Sequence, residues 1–183
     1  MQRAVIPMWL KKNTDHLAPY FCGLNFKRIK MADLNFRVKA HSENATKTIV
    51  KARGFELVID EPEELGGTNQ GANPVEFVLA AYAGCLNVMS HVCAQELGFE
   101  MKSVKIDLVG NLNPDRLFGK SSEERAGYKT IKVVLRPDCN ADDDTLKTWL
   151  AAVLDRCPVG DNLKNTTEVM VEVKKAKVPS IHN

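Results

Sequence analysis

From Leu34 onward, apolar and polar residues alternate along the chain. Leu34, Phe36, Val38 and Ala40 are interleaved with Asn35, Arg37, Lys39 and His41, the period of a half-buried strand. Ser42 to Thr46 is polar and reads as a turn, after which Thr48 to Ala52 can pair back as a hairpin. Phe55, Leu57 and Ile59 alternate with Glu56, Val58 and Asp60 in a third strand, ended by Glu61-Pro62. Gly66-Gly67 through Gly71 then forms a glycine-rich connection, expected to be flexible. Asn73-Pro74 opens a helix, with Asn at the N-cap, Pro at the first helical position and Glu76 in the first turn. Downstream, Val104, Ile106 and Leu108 mark a strand, and a long polar connection runs from Asn111 to Gly127. Ile131, Val133 and Leu135 mark the next strand, with Pro137 as its expected end. Asp142 to Arg156 is amphipathic, with Leu146, Trp149, Leu150, Val153 and Leu154 on one stripe and three aspartates at its start. A short turn of helix begins at Cys157-Pro158, and Val169, Val171 and Val173 read as a last strand. The order is three strands, a long helix, two strands, two helices and one strand (βββ-α-ββ-αα-β), an α+β fold with a largely antiparallel sheet.

The helix after Pro74 carries eighteen consecutive uncharged residues, Phe77 to Ala94, the length at which a membrane span becomes a candidate. Asn87, Ser90 and His91 interrupt the run, Ala and Gly fill much of it, and basic anchors are lacking at its ends. A core helix is the better reading, and no membrane partner is expected. In a domain this small, a helix apolar on nearly all sides needs more cover than one sheet, and a second subunit is a natural cover.

Charge divides the chain. Residues 1–30 carry six basic residues against Asp15 alone, although the whole chain of 183 residues has a net charge of only +2. The remainder, 31–183, is therefore mildly acidic and is expected to be one domain. The first thirty residues are expected to be a poorly ordered basic extension, with Met31-Ala32 resembling a second start. No basic stripe marks the folded part, so no nucleic-acid partner is expected.

Five cysteines (Cys22, Cys85, Cys93, Cys139 and Cys157) are an odd number without a CxxC pair. With no secretory leader, this favours free thiols in a reducing cytoplasm over a disulfide scaffold or a zinc ribbon. Cys157 stands directly before a proline that can start a helix, which places its sulfur near unpaired N–H groups and lowers a thiol pKa. Cys85, in Ala83-Gly84-Cys85, would on its own read as a core cysteine, as does Cys93. Cys139 is expected in a loop and Cys22 lies in the extension. His91 is six residues beyond Cys85, about 240° round a helix, so a zinc site with Cys85 and Cys157 is disfavoured.

The segments Asp60-Glu61-Pro62-Glu63-Glu64-Leu65-Gly66-Gly67, Asn73-Pro74-Val75-Glu76-Phe77 and Ala80-Ala81-Tyr82-Ala83-Gly84-Cys85 resemble the signature of the OsmC/Ohr family. Cys157-Pro158-Val159 resembles that family's second cysteine motif, and the similarity runs roughly from Met31 to Lys175. The resemblance implies an OsmC-like fold, a homodimer and a thiol peroxidase needing no metal, haem or flavin cofactor. Cys85 would attack the hydroperoxide substrate and become a sulfenic acid, Cys157 would resolve it as a disulfide, and an external dithiol would reduce the pair. The dipole argument alone favours Cys157 as the stronger thiolate, so the two lines of reasoning disagree over which sulfur attacks.

The chain also departs from the family's pattern. Where the family's glutamate follows Asn-Pro directly, this chain has Val75, with Glu76 one residue later. Glu76 and Cys85 are nine residues apart, about 13 Å along a straight helix and on opposite faces, so Glu76 could serve only a partner's cysteines. Otherwise it is a first-turn acid complementing the helix dipole. For the family's arginine, the first strand connection offers only Lys47, and Arg53 before Gly54 is the other candidate cation. A lysine cannot copy a guanidinium fork, which weakens the case for efficient reduction of bulky peroxides. A redox sensor or small-molecule binding protein on the same fold, without efficient turnover, is the alternative.

Overall fold

A computed structural model of the chain describes residues 32–175, so the basic extension, its Cys22 and the last eight residues lie outside the described part. Strands β1 (Lys39–Ser42), β2 (Thr48–Ala52) and β3 (Phe55–Ile59) form an antiparallel meander in the order β1-β2-β3. The long helix α1 (Pro74–Leu97) follows, then β4 (Met101–Asn111) and β5 (Thr130–Cys139), which pair antiparallel as a separate two-stranded sheet. Helices α2 (Asp143–Arg156) and α3 (Pro158–Lys164) complete the chain's regular elements among the described residues. This is the α+β, antiparallel architecture with a long helix that the polarity pattern implies.

The core is built on one face of α1. Tyr82, Leu86, Ser90, Cys93 and Ala94 are buried at spacings of three and four, against Trp149 and Val153 of α2. Ile106 and Leu108 of β4 and Ile131, Val133 and Leu135 of β5 close the other side. The alternation read in β4 and β5 therefore points inward as expected. Trp149 fixes the helix pair, its indole N–H donating to the Ser90 carbonyl at 2.9 Å. The Ser90 hydroxyl beside it is buried, with no hydrogen-bond partner among the described residues.

Several expectations are corrected at the edges. β1 begins only at Lys39, because Leu34, Phe36 (91% exposed) and Val38 find no strand to pair with among the described residues. The expected last strand is likewise unpaired: Val169, Met170, Val171 and Val173 (90% exposed) are solvent-facing chain. Strand hydrogen bonds need a neighbour, and the sequence pattern specifies the face without supplying one. β5 does not stop at Pro137 but runs on to Cys139, so that cysteine ends a strand rather than occupying a loop.

The glycine-rich connection is tightly folded rather than loose. Asp60, read as the outward residue of its strand, is fully buried and accepts from the backbone N–H groups of Glu61, Thr68 and Gln70 and from the Thr68 hydroxyl. Those donors hold its carboxyl well below the usual carboxylate range, the Thr68 hydroxyl contributing most. Gly67 and Gly71 allow the fold-back, since a β-carbon would overlap the carbonyl oxygens of Glu61 and Val58 respectively.

The β1–β3 meander packs substantially against neither α1 nor the β4–β5 sheet. α1 is correspondingly under-covered: by length and composition alone it could cross a membrane, and only 28% of its most apolar stretch is buried within the described chain. Val75, Val78 and Val88 of α1 stand exposed, as do Phe55 and Leu57 of β3.

Candidate active site

Cys157 sits where two helices meet. It ends α2 and caps α3, with extended backbone (φ −79°, ψ 108°) and Pro158 at the first position of the new helix. Its sulfur, 1% exposed as a residue, accepts from the Gly160 N–H at 3.4 Å. The helix start anticipated from Cys157-Pro158 is thus the one observed. Cys85 projects from the middle of α1 into the same corner, half-buried, and the two sulfurs lie 2.8 Å apart. That is longer than a disulfide bond of about 2.05 Å, and both cysteines are free thiols.

The amides of α3 serve both sulfurs. The Val159 N–H faces Cys85 while the Gly160 N–H faces Cys157. Amides at the start of α3 therefore stand at both sulfurs, and not at Cys157 alone. Burial nevertheless pushes the Cys85 thiol up, and the neighbouring Cys157 sulfur adds to this, while the Val159 amide works in the opposite sense.

Glu76, Lys47 and Arg53 lie elsewhere in the chain. Glu76 completes a capping box, its carboxylate accepting from the Asn73 N–H at 2.8 Å while its own N–H donates to the Asn73 side chain at 2.9 Å. Nine residues of α1 separate it from Cys85. Lys47, 12% exposed, is held by Glu43 at 2.9 Å and by the Gln70 side-chain oxygen at 2.7 Å. Arg53 occupies the left-handed turn between β2 and β3 (φ 57°), with its guanidinium 5.1 Å from the Phe55 ring centre. Within one chain, then, the structure brings together Cys85 and Cys157 and leaves the three charged candidates apart.

Sequence reasoning passed over two neighbours of the pair. Tyr82 is buried one turn before Cys85, and Gly160 of α3 is small enough for its ring to pack against. The i, i+3 spacing on a single helix face was the available signal for Tyr82. A second cysteine, Cys93, is buried two turns beyond Cys85, where burial pushes its thiol up and the Arg156 guanidinium, 3.8 Å away, opposes this. Arg156 is itself paired with Glu96, at 3.0 Å for its second nitrogen. Among the described residues no cluster of His, Cys, Asp and Glu is arranged to hold a metal.

An α+β fold with two adjoining thiols at the start of a short helix defines a class of dithiol proteins. Comparison with known proteins gives the family: the OsmC-like protein model matches residues 67–172, and this chain belongs to that family. The Bacillus subtilis protein YmaD is 24% identical over 145 residues, covering 78% of this chain and 95% of that protein. An OsmC-like protein from Mycoplasma pneumoniae superposes with a TM-score of 0.65 at 15% identity, over 74% of this chain and 91% of the other. An organic hydroperoxide resistance protein OsmC from Legionella pneumophila does so with a TM-score of 0.55 at 20% identity, over 73% and 92% respectively.

Proposed function

We propose that this protein is a thiol-dependent hydroperoxide reductase working through Cys85 and Cys157, assembled as a homodimer. The observation that carries the reading is the 2.8 Å approach of the two sulfurs beside the first amides of α3. Cys85 is the more accessible sulfur, so it is the one a peroxide meets first. Its thiolate attacks one oxygen of the O–O bond and becomes a sulfenic acid, while the other oxygen departs as alkoxide and takes up a proton. Cys157 then attacks the sulfenic sulfur, forming the disulfide and releasing water, and an external dithiol restores both thiols by exchange. The Legionella protein is described as an organic hydroperoxide resistance protein, which agrees with this chemistry.

The dimer reading rests on what the single chain leaves uncovered: a long apolar helix, a meander without a core of its own, and two unpaired apolar segments, Leu34–Val38 and Val169–Val173. A partner subunit could also bring Glu76, Lys47 or Arg53 to a cysteine pair that no cation among the described residues is bonded to. That last point favours a second reading, a thiol sensor without turnover, since a half-buried Cys85 pushed upward reacts slowly as an isolated thiol. Steady-state consumption of cumene hydroperoxide and hydrogen peroxide, driven by dihydrolipoamide, separates the two. The peroxidase reading predicts turnover that Cys85→Ser abolishes. Oxidation that stops after one equivalent in the presence of excess dithiol would leave the sensor.

A further inference from the structure

Tyr82 is a buried titratable group beside the cysteine pair that the dithiol chemistry leaves unused. It precedes Cys85 by one turn on the same side of α1. A β-carbon placed at Gly160 would stand 3.1 Å from the Tyr82 ring, 3.4 Å from its hydroxyl oxygen and 3.4 Å from Cys157 Cβ. The hydroxyl and Cys157 Cβ therefore flank one point and lie within twice that distance of each other. The hydrogen bonds around the two sulfurs do not engage the hydroxyl. Tyr82 also lines an open, largely apolar groove of about 580 Å³ against α2 and β5, with Val133, Leu135, Leu146 and Trp149 among its walls and Asp143 and Lys147 at it as well. The residue thus borders both the cysteine pair and this groove, and no hydrogen bond among the described residues engages its O–H.

Resting on the peroxidase reading, we infer that the Tyr82 hydroxyl is a further catalytic group, donating a hydrogen bond and then its proton to the departing oxygen of the hydroperoxide. When the Cys85 thiolate takes one oxygen, the O–O bond breaks and its electron pair leaves with the other oxygen as alkoxide. An alkoxide is about as basic as hydroxide, and so a far stronger base than a phenolate. A phenol, with an ordinary pKa of about 10, protonates it downhill. Burial and the negative charge either cysteine carries as thiolate push the Tyr82 phenol up, which keeps it protonated while Cys85 is ionised. The phenolate left behind recovers its proton from the Cys157 thiol, since a thiol is the stronger acid, and so prepares Cys157 to attack the sulfenic acid. The hydroxide released as the disulfide closes takes a solvent proton and leaves as water. The balance is two thiols and one hydroperoxide to one disulfide, one alcohol and one water.

Tyr82→Phe tests this, because it keeps the ring against Gly160 and removes only the hydroxyl. Single-turnover oxidation of Cys85 is measured with cumene hydroperoxide, whose alkoxide needs a proton to leave, and with peracetic acid, whose carboxylate leaves unaided. The variant is expected to slow the first by about tenfold or more, within the range of general acid catalysis, and to change the second by less than about twofold. Equal slowing of both substrates, or of neither, overturns the assignment. In the unmodified protein, rates across hydroperoxides of rising leaving-group basicity should vary shallowly, and a steep fall overturns it independently of the variant. Failure of the unmodified protein to be oxidised by either reagent would overturn the peroxidase reading itself, and with it the role of Tyr82.

Discussion

The sulfurs of Cys85 and Cys157 lie 2.8 Å apart although 72 positions separate them in the chain. One comes from the middle of α1 and the other from the joint between α2 and α3, so the packing of α1 against both later helices brings the pair together. The contact between Trp149 and the Ser90 carbonyl is part of that packing. The juxtaposition of the two sulfurs is a property of the assembled core, because no single segment of the chain encodes it.

Joining the two sulfurs should stabilise the fold. A cross-link closing a loop of this length removes unfolded-state entropy worth at most about 4 kcal/mol. Urea unfolding of the oxidised and reduced forms should show a higher midpoint for the oxidised protein. Equal midpoints would mean that closing the bond strains the helix joint enough to cancel the entropic gain.

Asp60 should make the fold acid-sensitive. Its folded-state pKa lies below the unfolded value, so its contribution is complete above about pH 4 and is lost as pH falls through that value and below. Asp60→Asn should lower the melting temperature at pH 7 and flatten its decline in acid. A variant whose acid limb matches that of the unmodified protein would show that other carboxylates set it.

Ser90→Ala removes a buried hydroxyl that has no partner, while leaving the carbonyl that accepts from Trp149. The change should be neutral or stabilising, within about 1 kcal/mol, because no hydrogen bond is lost and a desolvated polar group is relieved. Thermal melts of the two proteins decide it. A clear loss of stability would point to a hydrogen-bond partner for that hydroxyl in the assembled protein.

On the proposed peroxidase reading a cation for Cys85 would come from a partner subunit, and Arg53 is the less committed candidate. Lys47 is already committed to Glu43 and Gln70, whereas Arg53 makes no carboxylate pair among the described residues. The pH dependence of Cys85 alkylation should shift upward in Arg53→Met and remain in place in Lys47→Met. The reverse pattern would assign the role to Lys47. Light scattering on the same samples should give twice the chain mass of 20.3 kDa, and a monomer would remove the cross-subunit account.

Much of this fold was legible from polarity alone. β4 and β5 bury the residues their alternation marks, and α1 begins at the Asn73-Pro74 signal, because capping and period are local properties. The end strands were not recoverable in the same way. Leu34 to Val38 and Val169 to Val173 alternate as strands do, but whether a strand pairs depends on a neighbour, and none is present among the described residues. Asp60 was misread for a related reason: its burial is set by donors from Thr68 and Gln70, eight and ten residues on, which strand periodicity does not register. In the site, Cys157 carried its own local signal in Pro158, whereas Cys85 depended on family resemblance because a cysteine inside an apolar helix looks like core. Tyr82 and Gly160 became visible only once α1 and α3 were seen in contact.

The intact mass and peptide map of the reduced protein after one equivalent of cumene hydroperoxide test the central claim most directly. The account predicts loss of two hydrogens and a single cross-linked peptide pair joining Cys85 to Cys157, with Cys93 and Cys139 still alkylatable. An unchanged mass, a sulfinic or sulfonic acid at Cys85 without a cross-link, or a disulfide to a different cysteine would contradict it.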